Sequence, residues 1–187
     1  MKACIPLILL GATLSGASLP RFSLADATGA SHTDNEWRSA PAVVLYFITT
    51  DCPISNGYVP EMNRIAKDYE ARGVRFYGVI ADTDTPLNDV RKHVRDFAYT
   101  FPVLIDPHQV LVQFTGATIT PQAALLGPRN ELKYLGRIDN QYESLGNRRT
   151  QATRHEVRDA LDAVLAGKRV AAPSAPAVGC SINRVDP

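Results

Sequence analysis

Six consecutive apolar residues, Val43–Ile48, constrain the fold of this chain more than any other feature. A run of this length predicts a strand that is buried on both faces of a sheet. After a short polar turn come Cys52 and Pro53, and apolar residues then recur at helical spacing, which predicts a helix over 53–71. Cys52 is therefore expected where a buried strand leads into a helix. Pro53 would occupy the first helical position, where its missing N–H has no cost.

This position gives Cys52 its chemical interest. A thiol at a helix start can accept hydrogen bonds from the free N–H groups of the first turn, and it lies at the positive end of the helix dipole. Both effects favour the thiolate, the form that attacks disulfides and peroxides. The carboxylate of Asp51 would oppose this, unless it caps the helix instead. The sequence makes Cys52 the first candidate nucleophile, with an inert buried cysteine as the alternative.

Length and composition indicate the class of protein. The 187 residues, 45% of them hydrophobic, are sufficient for one globular domain, and the net charge of +1 does not indicate binding to nucleic acid or to an anionic membrane. Residues 1–17 combine Lys2, an apolar run and a small-residue site, which predicts a secretory signal peptide; a buried N-terminal segment is the alternative. We expect a periplasmic or secreted protein with no membrane span after cleavage, in which Cys52 and Cys180 meet oxidising conditions.

The other elements alternate between strands and helices. The patterns predict a hairpin over 22–33, strands over 74–80, 101–105, 123–126 and 132–138, and helices over 87–97, 110–114 and 157–165. Such an alternation predicts a mostly parallel central sheet with helices on both faces. The domain would span residues 18–167. Residues 168–187 are rich in alanine and proline, which predicts an extended tail that carries Cys180.

Four segments of the chain resemble the thioredoxin-fold redoxins, which include the peroxiredoxins and the TlpA-like thiol oxidoreductases. They are Phe22-Ser23-Leu24 with Thr28-Gly29, Thr49-Thr50-Asp51-Cys52-Pro53, Phe101-Pro102-Val103-Leu104-Ile105-Asp106, and Thr120-Pro121. The resemblance implies an α/β thioredoxin-like fold, with a central mixed sheet, helices on both faces and an N-terminal hairpin. It also implies a cis Pro121 facing the thiol, whereas a trans proline at a strand start is the alternative.

Two departures bear on the reaction. The TlpA-like proteins carry Cys-x-x-Cys, but here the fourth residue is Ser55, which cannot complete a disulfide. Peroxiredoxins carry Pro-x-x-x-Thr-x-x-Cys, in which Thr49 fits and Leu45 replaces the proline. The segments around Cys52 and around Val178-Gly179-Cys180 also resemble exported bacterial redoxins of poorly defined activity. Some members of that group are joined to haem or copper oxidoreductase domains.

The resemblance suggests roles for individual residues. Cys52 would attack a peroxide or a protein disulfide, Cys180 would resolve the oxidised form, and an external thiol would reduce the pair. Thr49 would hydrogen-bond to the thiolate and Arg137 would hold it ionised. Three further residues would contact the substrate: Thr120, Pro121 and Pro53. A purely structural role is the alternative for each of these residues. A structural or intermolecular disulfide is the alternative for Cys180.

A copper-binding or copper-delivery protein is the second function considered, and a docking module without redox chemistry is the third. Copper proteins of the SCO type share the fold and use Cys-x-x-x-Cys with a distant histidine, but Asn56 replaces the second cysteine here. The four histidines show no paired spacing; they are His32, His93, His108 and His155. A site made of Cys52, Cys180 and a histidine is the form that Cu(I) binding would take. We otherwise predict no cofactor, and we expect Tyr142 to pack in a loop or to close over the site.

Overall fold

The structure is a computed structural model that describes residues 19–185. In chain order the strands are β1 (Ser23–Ala25), β2 (Ser31–Thr33), β3 (Val43–Ile48), β4 (Arg75–Ile80), β5 (Val103–Ile105), β6 (Ile119–Thr120), β7 (Gln122–Leu126), β8 (Leu132–Gly136), β9 (Tyr142–Ser144), β10 (Asn147–Arg148) and β11 (Cys180–Ser181). The helices are α1 (Asp34–Trp37), α2 (Pro53–Glu70), α3 (Leu87–Asp96), α4 (Val110–Thr115) and α5 (Glu156–Leu165), with a 3₁₀ turn at Pro128–Asn130.

The central sheet has five strands in the order β5-β4-β3-β7-β8. The apolar run forms β3 at its centre, and all six of its side chains are buried. β3 pairs parallel to β4 and β4 parallel to β5, whereas β7 is antiparallel to both β3 and β8. The sheet is therefore mixed, as the resemblance implied. The parallel part predicted from the alternation consists of β3, β4 and β5, and the hairpin of β7 and β8 adds the antiparallel pairings.

Helices cover both faces of this sheet because alternate residues of β3 point to opposite sides. Val44, Tyr46 and Ile48 belong to a core that also includes residues of α2 and α5. Their neighbours Val43, Leu45 and Phe47 belong to a second core, which includes residues of β1, α1 and α4. The fold is thioredoxin-like, with a strand buried on both faces as its centre.

The N-terminal hairpin is present where the sequence predicted it. β1 and β2 pair antiparallel, and Gly29 supplies a positive φ of 96° in the turn. The carboxylate of Asp26 accepts hydrogen bonds from the backbone N–H groups of Thr28 and Ala30 and so fixes that turn. The N–H of Ala27 donates to the carbonyl of Val103. The hairpin therefore covers the edge of β5, which would otherwise expose unpaired backbone groups.

Most predicted elements appear within a few residues of their expected bounds. The helix that follows Cys52 ends at Glu70, just before Gly73, whose φ is +81°. The strand expected over 101–105 begins only at Val103, and β8 ends at Gly136 rather than at residue 138. The short hairpin of β9 and β10 lies in a stretch for which the sequence predicted no element.

The tail returns to the body of the protein. β11 pairs antiparallel with β6, so that Cys180 lies opposite Thr120 and Ser181 opposite Ile119. The predicted extended tail is thus docked rather than free along its last described part. Within residues 19–185 no helix has the length and apolar character needed to cross a bilayer. The predicted signal peptide over 1–17 lies outside the described residues.

Candidate functional site

Cys52 and Cys180 meet in space although 128 positions separate them in sequence. Cys52 precedes the first residue of α2, and Cys180 lies in β11. Their Sγ atoms are 2.8 Å apart, and the thiol of Cys180 donates to the sulfur of Cys52. Both are free thiols in the structure. A small movement would bring them to the bonding distance of a disulfide, about 2.05 Å.

The surroundings of Cys52 differ from those expected. No backbone N–H of the helix start donates to its side chain. Instead its thiol donates to the carbonyl oxygen of Thr120, at 3.3 Å. The Thr120–Pro121 peptide bond is cis, as the resemblance implied. Pro53 occupies the first position of α2, as predicted, and is exposed. The structure thus brings Thr120 to Cys52 through its carbonyl oxygen.

Thr49 and Asp51 interact with each other rather than with the sulfurs. The hydroxyl of Thr49 donates to the carboxylate of Asp51, at 2.8 Å. The expectation that Asp51 caps the helix is wrong, because Cys52 itself occupies the N-cap position. In this arrangement the Thr49 hydroxyl is not directed to the Cys52 thiol. Both residues nevertheless line a cavity beside Cys180.

Arg137 lies at a different place from the one predicted. Its guanidinium donates to the carboxylate of Glu156 through Nε at 2.8 Å and through Nη2 at 2.6 Å. Nη2 also donates to the hydroxyl of Ser174 in the tail. Both charged side chains are nearly buried, with 13% and 10% of their surface exposed, so each needs the other as a partner. Arg137 therefore anchors the tail and does not contact the thiols.

Glu156 is held ionised in this anchor. Burial alone would raise the pKa of its carboxyl, but hydrogen bonds from Ser174 and Arg137 outweigh that effect and lower it. The anchor fixes the tail near residue 174, six positions before Cys180. The tail also passes close to β8 at Gly136. A Cβ at this position would lie 2.8 Å from Cβ of Pro173, so the close approach favours glycine there.

Gln109, which the sequence did not single out, holds the other end of the tail. The buried side chain of Gln109 donates to the carbonyl of Asn183 at 2.6 Å and accepts from the N–H of Val185 at 3.1 Å. The guanidinium of Arg184 donates to the carbonyl of Ala117. Gln109 stands in an unremarkable loop before α4, so no local signal in the sequence points to this function.

A second missed group stabilises the turn that carries Cys52. His93 of α3 is buried, and its Nε2 lies 2.8 Å from the amide oxygen of Asn56. The amide nitrogen of Asn56 in turn donates to the carbonyl of Thr50, two residues before Cys52. The other ring nitrogen of His93 is buried without a partner. Burial lowers the pKa of His93, although the charge of Asp96 opposes this.

A cavity of about 130 Å³ opens beside Cys180. Its walls include Thr49, Asp51, Asp82 and Asn183, together with apolar side chains of β3 and β4. Cys180 lines this cavity and Cys52 does not. A larger groove of about 750 Å³ lies between α2 and the first residues of β4, but neither cysteine borders it. The smaller cavity therefore borders the thiol pair, on the side of Cys180.

The pKa of the Cys180 thiol is raised to about 11. The main cause is its hydrogen bond to Cys52, which stabilises the protonated form; burial and the negative charge of Asp51 add to it. At neutral pH Cys180 is thus a protonated thiol while it stays next to Cys52.

The structure does not bring a histidine to the two cysteines. Among residues 19–185, the group with metal-ligand spacing consists of Glu61, Asp139 and His155, and it includes neither thiol. Glu61 is already paired there with Arg64 and Arg158. A copper site of two cysteines and a histidine therefore finds no third ligand in the described part of the chain.

Tyr142 packs against α2. Its ring lies 5.0 Å from that of Tyr58, and an added Cβ on Gly57 would overlap its hydroxyl. This contact agrees with the expectation that Tyr142 is a packed aromatic. The residue lies in β9, however, and not in an irregular loop.

Comparisons with known proteins place the chain among thiol-active proteins. The AhpC/TSA family matches residues 15–135, more than half of the chain. The thiol-disulfide oxidoreductase ResA of Geobacillus thermodenitrificans is 28% identical over 118 residues, which cover 63% of this chain and 66% of ResA. ResA of Geobacillus kaustophilus is also 28% identical. The chain thus spans only about two thirds of the length of these relatives.

Two solved structures match almost the whole chain. A hypothetical protein from Sinorhizobium meliloti is 30% identical with a TM-score of 0.78, and the match covers 89% of this chain and 92% of that one. An uncharacterised conserved protein from Geobacillus kaustophilus is 26% identical with a TM-score of 0.75, covering 91% and 92%. The shared fold extends over more of the chain than the family match does.

Proposed function

The chain belongs to the AhpC/TSA family, and from this membership and its paired thiols we propose that it is an exported thiol-dependent oxidoreductase. Cys52 is the nucleophile toward a peroxide or a protein disulfide, and Cys180 is the resolving thiol. The observation that carries the proposal is the 2.8 Å separation of the two sulfurs. The pairing of β11 with β6 holds them at this distance.

With a peroxide as oxidant, the reaction has two steps. The Cys52 thiolate attacks one peroxide oxygen, the O–O bond breaks, and the leaving oxygen departs as water or an alcohol after taking up a proton. Cys52 is then a sulfenic acid. The sulfur of Cys180 attacks it, the S–O bond breaks, water leaves, and the Cys52–Cys180 disulfide forms. Two electrons have passed from the thiol pair to the peroxide.

With a protein disulfide as oxidant, the same pair undergoes exchange. Cys52 attacks one sulfur of the substrate, and the other leaves as a thiolate. Cys180 then attacks Cys52 in the mixed disulfide and releases the second substrate thiol. The name of the ResA relatives favours this branch, and the docked Cys180 supplies the second thiol that Ser55 cannot provide. An external thiol returns the protein to its reduced form.

Intact mass after alkylation tests this function on the metal-free protein. One equivalent of hydrogen peroxide, or of a small disulfide in a parallel sample, should convert two free thiols into a Cys52–Cys180 disulfide. With peroxide, the variant Cys180→Ser should stop at a Cys52 sulfenic acid. Two thiols that survive both oxidants would contradict the proposal. A disulfide that resists mild reductant would make the bridge structural.

A further inference from the structure

The two sulfurs of the pair are not equally accessible. Cys52 has 0% of its surface exposed, and it lies against the carbonyl of Thr120. Cys180 is partly exposed and lines the 130 Å³ cavity, which Cys52 does not reach. A reagent that enters from solvent while the tail is docked therefore meets Cys180 first.

We propose that the external thiol reducing this protein forms its mixed disulfide with Cys180 rather than with Cys52, and that it enters through the acidic cavity beside Cys180. This inference rests on the proposed function, since it assumes that the Cys52–Cys180 disulfide is the oxidised form. It adds which sulfur receives the partner and which kind of thiol the site accepts.

The exchange balances as two successive substitutions. The external thiolate attacks Sγ of Cys180, the Cys52–Cys180 bond breaks, and Cys52 leaves as a thiolate with the bonding electron pair. A second external thiolate then attacks the external sulfur of the mixed disulfide and releases Cys180. The protein gains two electrons and two protons, and two external thiols become one disulfide.

The charges of the cavity select among thiols. Asp51 and Asp82 both line it, and within residues 19–185 none of its lining residues is Lys, Arg or His. Two carboxylates near the reacting sulfur repel an anionic thiol and attract a cationic one, and salt screens this effect. We therefore expect a partner that is neutral or positively charged around its sulfur.

Mapping the mixed disulfide tests the site of attack. Oxidised wild type receives substoichiometric cysteamine and is quenched in acid, and peptide mass then locates the adduct. We expect the cysteamine on the peptide that contains Cys180, with Cys52 recovered as a free thiol.

Reduction rates with three small thiols test the role of the cavity. At equal thiolate concentration, cysteamine should reduce the oxidised protein fastest, mercaptoethanol more slowly and mercaptopropionate slowest. In Asp82→Asn the spread between the cationic and the anionic thiol should shrink several-fold. Asp84→Asn is the matched control. It also removes one carboxylate, but Asp84 lies two residues beyond Asp82 and does not line the cavity. It should keep the wild-type spread.

The outcomes separate this inference from the function beneath it. An adduct on Cys52, or equal reduction rates for the three thiols, would overturn the inference. The proposed function would still stand in that case, provided that the Cys52–Cys180 disulfide forms and is reduced. If oxidation forms no Cys52–Cys180 disulfide at all, the proposed function itself fails.

Discussion

At the scale of single residues, the contact between the two thiols controls the reactivity of Cys180. Replacing Cys52 by alanine removes the main cause of the raised pKa of Cys180, so this pKa should fall from about 11 toward its ordinary 9.0. More thiolate is then present at pH 8, although each thiolate is a weaker nucleophile. With the usual dependence of nucleophilicity on pKa, alkylation of Cys180 should become about tenfold faster in Cys52→Ala.

The measurement is the rate of iodoacetamide labelling of Cys180 between pH 7 and 11, resolved by peptide mass. Ser55→Ala is the control, because Ser55 lies in the same first turn of α2 and its hydroxyl has no hydrogen-bond partner. Its profile should follow wild type. A Cys180 midpoint that stays near 11 in Cys52→Ala would contradict the assigned cause.

Gly179 permits the tail to approach the body of the protein. A Cβ at this position would overlap the carbonyl oxygen of Thr120, lie 2.7 Å from its carbonyl carbon and lie 3.0 Å from Cδ of Pro121. Backbone atoms cannot move aside as a flexible side chain can, so Gly179→Ala should lift β11 from β6. We expect disulfide formation after peroxide to slow at least tenfold, with the Cys52 sulfenic acid accumulating.

This rate is measured by quenching samples with an alkylating reagent at timed intervals and determining their intact mass. Ser181→Ala makes a comparable change two positions along, at an exposed residue, and should leave the rate near wild type. If Gly179→Ala closed the disulfide as fast as wild type, the docked position of the tail would not be what brings the sulfurs together.

At the scale of elements, the parts of the site that depend on local pattern could be predicted and the rest could not. The buried strand, the helix after Cys52 and the cis proline follow from residues that are adjacent in sequence or from the resemblance. Arg137 was misplaced because its partner, Glu156, belongs to another element 19 residues away. The position of an arginine at a strand end indicates where its backbone lies, but it does not determine which acceptor its guanidinium contacts.

The docking of the tail is the clearest case of what a single sequence does not reveal. Cys180 reaches Cys52 because β11 pairs with β6, and Gln109 binds the carbonyl of Asn183 at a separation of 74 residues. These contacts involve a two-residue strand and one glutamine, neither of which has a recognisable local pattern. The sequence could nominate Cys180 as a partner, but only the tertiary contacts give its distance and its exposure.

The contact between α3 and the start of α2 leads to a prediction about pH. His93 is buried, and its pKa is lowered from 6.5, so the unfolded chain binds a proton at this position more readily than the folded protein. Stability should therefore decrease as the pH falls through 6.5, until the folded protein is protonated as well. In His93→Gln this contribution should be absent, while the amide can still donate to Asn56.

Urea unfolding at pH 7.5, 6.5 and 5.5 measures the effect as the difference in free energy of unfolding. His108→Gln is the matched control, since His108 is exposed and would retain the slope of wild type. An equal slope in all three proteins would show that protonation of His93 does not contribute to stability in this range.

At the scale of the whole molecule, the tail joins the last part of the chain to its centre. Its contacts with the rest of the protein include Ser174 at the Arg137–Glu156 pair, β11 at β6, and Asn183 at Gln109. A disulfide between Cys52 and Cys180 would close a loop of 128 residues across nearly the whole domain. Oxidation should therefore alter the stability of the entire fold and not only of the site.

The loss of chain entropy on closing so long a loop in the unfolded state predicts that oxidised protein is more stable than reduced protein by about 4–5 kcal/mol. Denaturant unfolding of the two forms measures this difference, and Cys180→Ser should match the reduced form under both conditions. A difference below about 1 kcal/mol would mean that the bond strains the folded protein. Folding and oxidation form a thermodynamic cycle. The increase in unfolding free energy on oxidation therefore equals the amount by which the folded protein favours the disulfide more than the unfolded chain does. Weakening the tail should therefore make the bridge easier to reduce.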